Sequence, residues 1–144
     1  MKISPRNVFL FDGIGAMASL TFHLIIAFCE SIFGMPIQAV LALAIFPVLL
    51  MPFSFFHFFR FPQDWKPILK IIISSNLIFC IVSIGVVAYY FDLLTSLGLI
   101  YFIGEVIVVL TLVALVELPT LKSSVIGHNI IANGDNFPSS KQKT

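Results

Sequence analysis

Asp12, Ser19 and His23 interrupt an otherwise apolar run from Val8 to Phe28. A helix advances about 100° per residue, so Asp12, Ser19, His23 and then Glu30 all return to within roughly 20° of one line. Gly15, Ala16 and Ala27 flank that line. Two further polar series sit in apolar surroundings: Asn76, Cys80 and Ser83 at i, i+4 and i+7, and Gly98, Tyr101 and Glu105 at i, i+3 and i+7. Carboxyl, imidazole and phenol groups in hydrocarbon bind protons or the polar part of a ligand, and they also act as glue between helices. Both chemistries place these residues against other helices and away from lipid.

Depth sorts the same residues into two layers. Counting 1.5 Å per residue from the span ends, Asp12 lies about 6 Å and Asn76 about 12 Å from one edge. From the opposite edge Tyr101 lies about 6 Å in, His23 about 7 Å, and Glu105 and Ser83 about 12 Å. The candidate intramembrane site is therefore Asp12, Ser19, His23, Asn76, Ser83, Tyr101 and Glu105, with His23 and Glu105 expected as a direct or water-bridged pair. Glu117 lies about 120° from the Glu105 face, near the span end, and is expected to be solvated. Enzyme chemistry has less to stand on. There is no His-Glu-x-x-His, no phosphate-binding glycine loop, and no nucleophile with an identifiable base. No cofactor and no metal are expected. Cys29 and Cys80 differ in depth by about 15 Å, too far for a disulfide, and there is no Cys-x-x-Cys pair for thiol exchange.

The elements that must position these groups follow from composition. Of 144 residues 59% are hydrophobic, 16 are Phe and only 10% are charged, which is too little polar surface to clothe a domain in water. Four stretches reach the roughly 20 residues needed to cross hydrocarbon: residues 8–28, 37–59, 68–91 and 97–118. Short connections make sequential helices antiparallel neighbours. The predicted fold is an all-α membrane protein, an up-down-up-down four-helix transmembrane bundle over residues 1–118, followed by a polar tail over 119–144 that Pro119 separates from the last helix. The tail is expected to be mobile and cytoplasmic, with at most a transient contact through Val125 to Ile131.

Local signals refine the spans. Ser4-Pro5 is a helix start, the hydroxyl capping and the proline filling the first turn. Pro47 and Pro52 each remove one backbone bond within the second span, which predicts a bend and offers freed carbonyls to a polar cavity. Arg60, Trp65 and His57 read as headgroup-level residues. Thr95 or Ser96 can cap the fourth helix. Gly15-x-x-x-Ser19 and Ala39 to Ala42 offer small residues for close contact with a homo-oligomer or membrane-protein partner.

Charge sets the expected orientation. Lys2, Arg6, Arg60, Lys66, Lys70, Lys122, Lys141 and Lys143 all fall on one side of the alternating layout, whereas the other connections carry only Glu30 and Asp92. By the positive-inside rule both termini are expected in the cytoplasm, with the chain in the inner membrane. Ala16-Met17-Ala18 mimics a signal cleavage site, but the apolar run continues to Phe28 and Asp12 interrupts it, so an uncleaved first span is expected. A net charge of +1 offers no concentrated basic patch for nucleic acid.

The segments Asp12-Gly13-Ile14-Gly15-Ala16, Glu30 with Phe33-Gly34-Met35-Pro36, Asn76-Leu77 and Gly104-Glu105 resemble those of small four-span bacterial integral membrane proteins of unassigned function. In layout alone the chain is also similar to DoxX-like proteins and to small multidrug resistance transporters. Those transporters centre on a glutamate in the first span, whereas here the first span carries Asp12 and His23 and the glutamate is Glu105 in the fourth. These features predict a small membrane protein with a polar pocket or a subunit role; a proton-coupled small-molecule transporter working as an oligomer is the alternative.

Overall fold

Pro5 opens the first helix, α1 (Pro5–Phe28), where its missing N–H costs nothing. Ser4 precedes it as expected, but its carbonyl, not its hydroxyl, accepts the Asn7 N–H at 2.9 Å. That tight turn uses the donor a side-chain cap would have taken. The computed structural model describes residues 4–122. Beyond α1 it contains a one-turn helix α2 (Glu30–Phe33), then α3 (Ile37–Phe59), α4 (Trp65–Tyr89) and α5 (Ser96–Leu112). After α5 the chain widens into a π turn, Val113–Glu117, and continues helical to Lys122. The tail contact expected at Val125 to Ile131 lies outside the described residues.

The last helix departs from expectation. Pro119 does not stop it: the span runs Ser96–Lys122. A proline at that position lacks a donor and crowds the Leu115 carbonyl four residues back. The turn immediately before it is the one that widens, and the Leu118 N–H reaches five residues back to the Val113 carbonyl. Pro47 and Pro52 are likewise accommodated inside an unbroken α3.

At one end of the bundle α2 crosses the start of α5 at backbone distance. Gly34 ends α2 in the left-handed region, φ 74°, and a Cβ there would sit 2.1 Å from the Leu93 carbonyl oxygen. A Cβ on Gly98 would sit 2.1 Å from the Phe33 carbonyl oxygen. Glycine is thus required on both sides of the crossing. Thr95 stitches it: its N–H donates to Phe33 O at 3.1 Å and its hydroxyl to Ile32 O at 2.8 Å, while Thr95 Oγ1 accepts the Gly98 N–H at 3.1 Å as the α5 cap. At the other, basic end Arg6 Nε donates to Phe58 O at 3.1 Å. It satisfies a carbonyl in the last turn of α3, where a cation also complements the helix dipole.

The packing is uneven. The α1 and α3 helices lie together along much of their length, α4 pairs with α5, and α3 meets α4, but α1 scarcely touches α5. Ile26, Met35, Val40, Leu43, Phe79 and Phe102 fill the layer nearest the α2 crossing, and Val8, Phe9, Leu69, Ile72 and Val113 fill the layer at the basic end. Outward faces are bare and apolar, with Ile81 and Ile100 each 70% exposed and Leu115 69% exposed. Four helices are long and apolar enough to cross a membrane, and apolar exposure on this scale does not suit water. The molecule is an all-α, four-helix, multi-pass membrane protein.

Candidate functional site

The polar residues converge in two clusters stacked along the bundle. In the cluster nearer the basic end, Asp12 of α1 is 2% exposed. Its two oxygens accept from different helices: Oδ2 from the Ser54 hydroxyl of α3 at 2.5 Å, and Oδ1 from Asn76 Nδ2 of α4 at 2.8 Å. The second proton of the same amide goes to Glu117 Oε1 at 3.0 Å. One asparagine side chain therefore holds two carboxyl groups, using both of its N–H donors.

Glu117 and Ser54 were not among the residues expected here. Glu117 is fully buried, a correction to the solvated position read from an unbroken helix. The cause is the π turn, which holds about one residue more than an α turn and so makes everything after it lag by about 100°. The 120° offset from the Glu105 face falls to roughly 20°, and the carboxyl turns inward. Pro119 is the sequence signal that marks this turn. Ser54 sits between aromatic residues at the end of α3, and its one hydroxyl gives no periodicity to detect.

The second cluster joins α1 to α5. The Ser19 hydroxyl donates to Glu105 Oε1. His23 Nδ1 lies 2.8 Å from the Ser19 carbonyl and 3.6 Å from Glu105 Oε1. A carbonyl only accepts, so the Nδ1 proton points at Ser19. The structure brings His23 and Glu105 together with Ser19 as the direct partner of both. His23 is fully buried among the rings of Phe79, Tyr101 and Phe102, all with centroids 6.2 Å away. The Tyr101 hydroxyl approaches the Glu105 carboxyl without meeting hydrogen-bond geometry. Tyr101 Oη, Glu105 Oε2 and His23 Nε2 are all buried with no hydrogen-bond partner among the described residues. Ser83 is also fully buried with an unpartnered hydroxyl, but it joins neither cluster and lines no part of the cavity described next.

A cavity of about 430 Å³ connects the clusters, within the range of small-molecule sites. Asp12, Asn76, Ser19, Tyr101 and Glu105 contribute its polar wall, and Phe22, Phe46, Pro47 and Phe79 are among its apolar residues. Of the lining residues, Asp12, Pro47, Asn76 and Phe79 are buried, whereas Gly15, Ala18 and Phe22 of α1 and Ile100 and Val108 of α5 are exposed. The mouth is therefore the loose seam between α1 and α5. Gly15 and Ser19, read as a contact motif for a partner, line this cavity. His57 stands apart near the basic end, with Nδ1 2.7 Å from the Phe53 carbonyl and its ring against Phe9, Phe53 and Phe56.

Among the described residues no group of three or more His, Cys, Asp or Glu side chains has the spacing to hold a metal ion. No family model, curated protein or solved structure matches the chain.

Proposed function

We propose that this chain is a small integral protein of the inner membrane, with both termini cytoplasmic, that holds an amphipathic small molecule in a pocket among its four spans. The observation that carries the reading is the cavity, whose wall includes the intramembrane carboxyl groups Asp12 and Glu105 and whose mouth lies between α1 and α5. Polar groups kept only as interhelical glue leave no reason for a ligand-sized space between them. A mouth at the α1–α5 seam admits a molecule already dissolved in the bilayer. The one-sided distribution of Lys and Arg supports the orientation.

Purification in native-lipid discs followed by mass spectrometry tests the reading. Gly104 lines the cavity, and a Cβ on it meets no atom within 4 Å. Gly104→Phe should therefore occupy the pocket while leaving the helices in place. The expected result is a molecule that co-purifies with the native chain and is lost from the variant at unchanged helicity. Identical small-molecule content in both would overturn the proposal.

A second reading is favoured by one feature. Glu105, tied through Ser19 to His23 on the cavity wall, is a group that can exchange a proton against a ligand. That arrangement suits proton-coupled small-molecule transport by an oligomer, in which a second copy would cover the sparsely buried α5. Ligand-dependent proton flux in reconstituted vesicles, lost in Glu105→Gln, is its expected signature; ligand binding without flux would leave simple binding as the function.

A further inference from the structure

We propose that the π turn Val113–Glu117 is a two-register joint, held wide by one proton shared between Asp12 and Glu117 and closing to an α turn when that proton leaves. This goes beyond the pocket reading and does not depend on what the cavity holds. A π turn holds about one residue more than an α turn and is rare, so something specific must favour it here. Pro119 contributes, because a widened turn eases the crowding of its ring against the Leu115 carbonyl. The wide register also carries Glu117 to Asn76, whose Nδ2 donates to Glu117 Oε1 at 3.0 Å.

The chain beyond the joint is short. Residues 118–122 complete the described helix, and Leu118, Pro119 and Lys122 are exposed. Closing the turn would rotate this segment by about 100° relative to the first part of α5 and return Glu117 to the outward direction of an unbroken helix. From there its carboxyl reaches water and headgroups at the basic end, about 7 Å along the helix from Lys122.

Hydrogen-bond bookkeeping points to the shared proton. The pair has four carboxyl oxygens but receives three hydrogens, one from Ser54 and two from Asn76. Glu117 Oε2 is the oxygen left over, buried with no hydrogen-bond partner among the described residues, in a side chain that is 0% exposed. The two carboxyl groups approach each other, and a proton between them is the missing fourth hydrogen. The groups that face the pair, Ser54 from α3 and Asn76 from α4, are neutral. Among the described residues no Lys, Arg or His makes an ion pair or hydrogen bond with either carboxyl. Two adjacent carboxylates without a cation cannot both stay ionised in a buried site. Loss of the proton to water at the basic end therefore expels the carboxyl that can move, Glu117, while Asp12 stays on the cavity wall. The sign is fixed by this linkage: the wide register binds the proton, so acid favours it and alkali favours the closed turn. A proton taken up at the basic end is thus read as a change at one end of the cavity.

Spin-label distances on the full chain in native-lipid discs provide the test. Labels are placed at Lys70→Cys of α4 and Lys122→Cys, both exposed positions, in a Cys29→Ser, Cys80→Ala background. A swing of about 100° on a radius of about 5 Å displaces a side-chain tip by about 8 Å. The distance between the labels should therefore shift by several ångströms as pH rises from about 5 to about 9. A label at Leu110→Cys, exposed on α5 ahead of the joint, should keep its distance from Lys70→Cys over the same range. Glu117→Gln, which stays neutral, should hold the acid distance throughout. A constant Lys70–Lys122 distance in the native background, the same shift in Glu117→Gln, or an equal shift at Leu110 would overturn the proposal. If Glu117→Gln does not fold, Asp12→Asn removes the other carboxyl of the pair and should abolish the shift in the same way.

Discussion

Asn76 is the residue on which the cluster at the basic end depends, because one amide serves both Asp12 and Glu117. Asn76→Leu keeps the volume and removes both donors, leaving two buried carboxyl groups facing each other across an apolar side chain. A destabilisation of about 1–3 kcal/mol is expected from two interhelical hydrogen bonds of this kind, read as a lowered thermal midpoint in detergent. Adding Glu117→Gln should recover part of the loss, since the pair would then contain a donor of its own. An Asn76→Leu midpoint equal to that of the native chain would show that the amide carries no weight. At this scale the sequence was legible in part. Asp12, His23, Asn76 and Glu105 stand out because a polar group in an apolar run has few explanations, whereas the inward direction of Glu117 depends on a widened turn that helical counting cannot register. Ser83 shows the reverse: its spacing places it beside Asn76 and Cys80 on one face of α4, and its hydroxyl finds no partner among the described residues.

The α2–α5 crossing and the α1–α5 seam are the two features in which elements, rather than single residues, decide the outcome. At the crossing, Gly98→Ala forces a Cβ against the Phe33 carbonyl, and overpacking against backbone is expected to cost about 1–3 kcal/mol. Gly85 of α4 is the internal control. It is exposed, and a Cβ there meets nothing within 4 Å, so Gly85→Ala should be neutral or stabilise by about 0.5–1 kcal/mol through helix propensity. Thermal midpoints that move in opposite directions for the two alanines are the expected result; equal shifts would mean that the crossing tolerates a side chain. The four spans were readable from length and hydropathy alone, and the α5 start from the Thr95-Ser96 pair, of which Thr95 is the cap. The crossing was not, because close backbone approach depends on which elements meet, and Phe33-Gly34-Met35-Pro36 on its own reads only as a turn. The seam escapes for a related reason. Short connections specify which helices are sequential neighbours, but how closely the first packs against the last is set by the whole bundle.

Across the whole molecule, the proposed orientation ties the two clusters to the two sides of the membrane: Asp12, Asn76 and Glu117 toward the cytoplasm, His23 and Glu105 toward the exterior. The eight basic residues on one side of the layout give the positive-inside rule no opposing charge to weigh. The two cysteines make this measurable. Cys29 is partly exposed at the junction of α1 and α2, whereas Cys80 is 3% exposed inside the bundle. A membrane-impermeant maleimide applied to intact cells should therefore label Cys29 and spare Cys80, and Cys29→Ser should abolish the signal. Moving the thiol to the basic end, as Arg60→Cys in the Cys29→Ser background, places it at the exposed C-cap of α3. That site should react only after the membrane is permeabilised. Labelling of Arg60→Cys from outside, with Cys29 protected until the cells are opened, would invert the orientation. The pocket mouth would keep its place between α1 and α5, but the His23–Ser19–Glu105 cluster would then face the cytoplasm, and any proton it exchanges would come from that side.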